Sequence, residues 1–213
     1  TRGRARFNLL SWKIDLEKLA RSLPAAPPTV PPANTPPPAL DEVLAAIDRH
    51  GANCDFTALA EYLRTLAADP PGAKRAALIA LADSAVRFLN DLQEDLRAAA
   101  NGIAVTGKLK SGETFTGVAR SAEPRMILVA MGNLRRDCAW ADLEPEAVIN
   151  IYREAVKTES DATRKVRRHE TAVAFQWLTG SRAQALEIAE RIAADNPDFR
   201  ERWEPVKLGL PKP

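Results

Sequence analysis

Residues 102–121 read GIAVTGKLKSGETFTGVARS, and this stretch decides the fold class. Apolar and polar residues alternate along it, the period-2 pattern of a half-buried strand, and Ser111-Gly112 sits where a hairpin would turn. RMILVAMGN (125–133) follows as another strand, and RRDCAWADL (135–143) as a shorter one beyond Gly132-Asn133. Three to four short antiparallel strands fit this segment. Their apolar face must be covered, either by curling into a small barrel or by packing on helices.

Upstream, residues 39–101 carry the helical period instead. Asp41 is the expected N-cap before EVLAAIDRH, with Gly51 as its stop. Asp55 opens FTALAEYLRTLAA, where Phe56, Leu59, Ala60, Leu63 and Leu66 form one stripe. Pro70, Pro71 and Gly72 break the chain. A long helix is expected from Ala73 to Ala100, with Leu78, Leu81, Ala82, Ala85, Phe88, Leu89, Leu92 and Leu96 inward and Asn101-Gly102 as an αL cap. Three helices with short connections make an antiparallel bundle.

Downstream, EPEAVINIYREAVKT (144–158) returns to helix, with Pro145 suited to a first turn. A helix over 163–178 comes next, then Gly180, then a helix from Arg182 to Ala194 ended by Asn196-Pro197. The tail holds Pro205, Pro211 and Pro213 and reads as irregular.

The N-terminal part differs in composition. Residues 24–38, PAAPPTVPPANTPPP, hold half of the 16 prolines and no charge, which makes them an extended polyproline II linker. Ahead of it, residues 1–23 carry Arg2, Arg4 and Arg6 and a short amphipathic helix over 8–22 with Trp12 on its apolar side. The start at Thr1 reads as a piece of a longer protein, with a basic solvated tail.

Composition bounds the rest. Hydrophobic residues are 46% and charged residues 27%, normal for a globular chain, while aromatics at 6% leave the cores to small aliphatic side chains. A net charge of +2 is too balanced to name a partner. No window reaches 18 uninterrupted apolar residues, so no membrane span is expected within the chain. Two cysteines exclude a disulfide-dense scaffold and fit a reducing or an oxidising compartment, so localisation is left open.

In LKSGETFTGVARSAEPRMILVA, residues Leu109, Gly112, Phe115, Gly117, Met126 and Leu128 resemble the first motif of the Sm-like family. The resemblance implies a small curved sheet over residues 103–141, with Gly117 at a strong strand bend. Ile127 stands in place of the family's base-reading asparagine and Arg125 in place of its stacking aromatic, so RNA reading does not carry over. Residues 165–197 contain AFQWLTGSRAQALEIAERIAADNP, in which Gly180, Ala185 and Pro197 are similar to a tetratricopeptide repeat. That resemblance implies a close αα-hairpin.

The resulting expectation is an α+β chain. A three-helix bundle (39–101) is followed by a small antiparallel sheet or SH3/Sm-like barrel (102–143). A C-terminal helical hairpin and tail (144–213) close the chain, and the Pro-rich linker lies near the N-terminus.

The sequence offers little chemistry. His50 and Cys54 are spaced i, i+4 but separated by Gly51, and Cys138 and His169 lie far away, unlike the tight ligand pairs of zinc sites. GxSxG, HExxH, P-loop and GxGxxG motifs are missing. No catalytic residue, metal ligand or cofactor is assigned. The strongest charge feature is Arg164, Lys165, Arg167 and Arg168, beside His169 at the start of a helix. These four could meet phosphates or a partner. A charged helix face usually meets only water, and Glu159, Asp161 and Glu170 dilute this one. Trp140 and Trp177 are expected as packing anchors, while Trp12 and Trp203, in the least regular segments, are the expected contacts to another subunit. The function expected is a non-catalytic protein–protein interaction or scaffold module, whose partner is another protein or the rest of a larger chain. The alternatives are an RNA-binding module using the curved sheet and basic helix, and the extracytoplasmic regulatory part of a membrane-anchored protein.

Overall fold

A computed structural model describes residues 39–67, 69–70, 72–123, 126–131 and 134–211. The expected N-terminal helix, the Pro-rich linker and Trp12 lie outside the described residues.

Helix α1 (Leu40–Ala52) and helix α2 (Phe56–Thr65) lead into the long helix α3 (Arg75–Ala98). Every residue named above as inward on the second and third helices is buried. Two details of α1 differ from expectation. It starts two residues early, after Ala39, so Asp41 falls in the first turn, where its carboxylate faces the positive end of the helix dipole. It also runs through Gly51 to Ala52 rather than stopping there. Gly51 serves a close approach: a Cβ at this position would lie 2.0 Å from the backbone oxygen of Leu178. The glycine is demanded by a neighbouring helix, not by a turn.

The strands β1 (Ile103–Lys108), β2 (Thr114–Glu123), β3 (Met126–Met131) and β4 (Leu134–Ala139) form an antiparallel sheet in the order β1-β2-β3-β4. The sheet is open, with β1 and β4 as its two edges among the described residues. Ile103, Val105, Phe115, Ala119, Ile127, Val129 and Cys138 turn inward and are buried. The register places Ile103 opposite Ala119, Ala119 opposite Val129 and Ile127 opposite Cys138, so one face carries all of them. At Gly117 a Cβ would stand 2.1 Å from the Ala130 carbonyl oxygen, so the close passage of β3 leaves room only for glycine.

Helix α4 (Pro145–Val156), with Pro145 in its first turn, packs along β1. Helix α5 (Ala162–Leu178) lies on α3, and helix α6 (Arg182–Asp195) packs on α5 through Ala185, Ala189 and Ala193. The tail is not irregular. Asn196 ends α6 and caps a further helix, α7 (Pro197–Gly209), accepting the Phe199 N–H at 2.9 Å. Pro197 sits at the first position of α7, where its missing N–H costs nothing, and Pro205 lies inside the helix on the exposed side. Helix α7 returns to α3 and α6, and its Gly209 carbonyl accepts the Lys74 N–H at 2.6 Å.

Helices and sheet share one core. Its centre is aromatic: Phe175 of α5 packs at 4.7 Å on Phe88 of α3 and edge-on at 5.8 Å to Phe56 of α2, and Tyr152 of α4 lies 5.3 Å from Phe88. Trp140, at the join of sheet and helix, and Trp177 are both fully enclosed. Among the described residues no helix is long and apolar enough to cross a membrane.

Candidate functional site: an arginine-lined cleft

Helix α5 begins cleanly because Asp161 caps it, accepting the N–H groups of Thr163 at 2.8 Å and Arg164 at 3.0 Å. Its first two turns then carry four cations at the positive end of the helix dipole, the end that disfavours them. The helical twist divides this block. Arg164, Arg167 and Arg168 turn toward α3 and α7, where they line a cleft of about 550 Å³. Lys165 does not line it.

Each helix contributes one stripe. Leu81, Ser84, Arg87 and Asp91 come from α3, Thr171 and Ala174 extend the α5 face, and Phe199, Arg202, Trp203 and Val206 come from α7. Five arginines thus stand against two carboxylates, Asp91 and Glu170. Three of the five have acidic partners. Arg168 is only 5% exposed and grips Asp95 of α3 with both guanidinium nitrogens, one at 2.9 Å. Arg202 pairs with Glu170, and Arg164 lies 3.1 Å from Glu159. Arg87 reaches only the Ser84 hydroxyl, at 3.3 Å, and Arg167 has no partner among the described residues.

Behind the cleft the polar chain continues. The Arg168 guanidinium lies 5.8 Å from the centre of the Tyr152 ring, and the Tyr152 hydroxyl is 2.7 Å from Nδ1 of His169. Burial raises the Tyr152 phenol well above its ordinary value, so the hydroxyl keeps its proton and shares a hydrogen bond with the His169 Nδ1. Burial, then the charges of Lys165 and Arg168, push His169 down, which leaves it neutral near pH 7. Burial also raises Asp91, against the opposing pull of Arg168 and Arg164.

Trp203 is not an exposed contact. It is 4% exposed, stacked 5.9 Å from Phe199 with the rings 12° apart, and forms part of the apolar floor of the cleft. The sequence missed this because the prolines around it suggested an irregular tail. Its indole Nε1 is buried with no hydrogen-bond acceptor among the described residues. Arg87 and Arg202 were also missed, because they reach the cleft from helices far away in the sequence. The i+4 spacing of Arg87 and Asp91 on α3 was visible, but nothing local marked that face as meeting α5 and α7.

The other candidates stay apart. His50 stacks on Tyr62 at 6.5 Å, and Cys54 comes just after α1 with a positive φ of 52°. Burial raises the Cys54 thiol to about 11, so it holds its proton at neutral pH. Among the described residues no group of three or more His, Cys, Asp or Glu side chains is placed to hold a metal ion. No family model matches the chain, and no curated protein or solved structure matches it significantly.

Proposed function

We propose that the chain is a non-catalytic protein-interaction module whose α3/α5/α7 cleft takes an acidic segment of a partner protein. The observation that carries this reading is the pair Arg87 and Arg167, which have no carboxylate partners among the described residues and stand beside a cleft floored by Phe199, Trp203 and Val206. An acidic side chain supplies what these two guanidinium groups lack, and its apolar neighbours can cover the floor. The cations at the α5 N-terminus add to the dipole there, so their summed field favours an incoming anion.

RNA is a weaker fit. Outward positions on the sheet hold Thr106, Thr116, Val118, Arg120 and Leu128, with no aromatic ring on which a base could stack, and the one phenylalanine of β2 is buried inward. No strand residue lines the arginine cleft.

The test is fluorescence anisotropy with a labelled oligoglutamate peptide and, separately, a single-stranded oligouridylate. The peptide should bind the chain, weaken with salt, and lose about tenfold in affinity in Arg87→Glu/Arg167→Glu. Equal binding by that variant, or none by the wild type at low salt, sinks the proposal. Selective binding of the oligouridylate, lost in the same variant, would replace a protein partner with RNA.

A further inference from the structure

The two edges of the sheet are treated differently. Along β1 the edge is occupied: Asn150 of α4 donates to the Thr106 carbonyl at 3.4 Å, and the Lys108 carbonyl accepts the Glu144 N–H at 2.9 Å. Along β4, no strand or helix of the described residues takes the outer backbone groups, apart from one side-chain contact. That contact is Asp142, whose carboxylate accepts the Ala139 N–H at 3.0 Å. The Ala139 N–H therefore points away from β3. Alternate residues of a strand present their backbone groups to the same side, so Arg135 and Asp137 offer their N–H and C=O groups to the open edge.

The side chains of this edge are unusual in being self-complementary. Arg135 and Asp137 are exposed on the outward face, and neither has an ion-pair partner among the described residues. Arg136, on the opposite face, is already neutralised by Glu113 at 2.5 Å. Leu134 is 70% exposed on that same side. Charges on an edge strand commonly discourage pairing, whereas opposite charges set directly across two strands favour it.

We propose that β4 is a self-pairing edge, and that two copies of this chain join β4 to β4 in antiparallel fashion with Arg135 of each opposite Asp137 of the other. A two-fold axis perpendicular to the sheet keeps inward residues opposite inward ones, which allows only every second register. Centring the axis on Arg136 gives two Arg135–Asp137 pairs and lets both residues exchange backbone hydrogen bonds. Arg136 then meets its own copy across the axis, each guanidinium held by its Glu113. Centring the axis on Arg135 or on Asp137 sets like charges opposite each other on the outward face, where no such partner stands. The second of these would also call on the Ala139 N–H, already held by Asp142. The charge pattern thus selects one register, which brings Leu134 of each copy opposite Cys138 of the other.

Sedimentation equilibrium of the whole chain, at concentrations up to about 500 µM, tests this. The wild type should show a monomer–dimer equilibrium that weakens with salt. R135D and D137R, each alone, should lose the dimer by about tenfold or more in association constant, because each places two like-charge pairs across the axis. Mixed with one another they should pair, and the swap R135D/D137R should restore self-association. Circular dichroism confirms that each variant is folded. A wild type that stays monomeric throughout, a dimer untouched by D137R, or two single variants that fail to complement would each overturn the proposal. These outcomes are independent of what the arginine cleft binds.

Discussion

At the scale of the residue, His169 shows how burial sets behaviour that its position in a basic block would not suggest. It faces Tyr152 of α4, Lys165 one turn earlier on its own helix and the Arg168 guanidinium, and no carboxylate partners it among the described residues. Its folded-state pKa lies below the ordinary 6.5, so between those two values the unfolded chain binds more protons. The stability this confers is fully present above about pH 6.5 and is lost as the pH falls from there toward the folded value. Asp91 acts in the opposite sense: its raised carboxyl makes the folded chain the better proton binder above the ordinary 3.8, which favours folding as the pH falls. Comparing the wild type with His169→Gln separates the two. Urea midpoints at about pH 7.5 and 5.5 should fall more for the wild type than for the variant. Equal falls would assign the acid sensitivity elsewhere.

At the scale of the element, α7 carries the clearest prediction and the clearest lesson. A proline inside a helix removes one hydrogen bond and crowds the carbonyl four residues back, here that of Glu201. Because Pro205 is exposed, Pro205→Ala should stabilise the chain by about 1 kcal/mol, read as a higher thermal midpoint. Were the segment irregular, the same change would free the unfolded chain and lower the midpoint. The prolines misled because the sequence shows their count and not their helical positions. Pro197 opens a helix, and Pro205 faces solvent. Gly51 misled for a related reason: a glycine read locally is a stop, whereas here it admits the Leu178 backbone from a helix more than a hundred residues on. The elements with strong local periodicity were legible, namely the stripes of α2 and α3, the hairpin turning at Ser111-Gly112 and the proline that starts α4. Half of the cleft was legible too. Its α5 cations could be seen in sequence, but their division into a cleft-facing set and Lys165 depends on where α3 and α7 lie.

At the scale of the whole molecule, helices α1, α2 and α3 share their core with elements far later in the chain. Their pattern alone reads as a bundle, and their apolar faces are complete. In the folded chain those faces meet distant partners: Phe56 and Phe88 both pack on Phe175, Asp95 is bound by Arg168, and Ala77 lies against Gly209. A fragment of residues 39–101 would therefore leave Phe88 and much of the α3 face open to water. At roughly 25 cal/mol per Å² of apolar surface, exposing a few large side chains removes several kcal/mol, comparable with the whole stability of a small domain. The fragment should keep partial helicity by circular dichroism but show no sharp unfolding transition, and adding residues 102–211 in trans should sharpen it. A fragment that melts cooperatively by itself would show that α1–α3 make an independent core, with the later helices docked on a finished surface. Loss of cooperativity would mean that α5 is as much a part of that bundle as the helices beside it in sequence. The arginine cleft would then form only as the last helices close on α3.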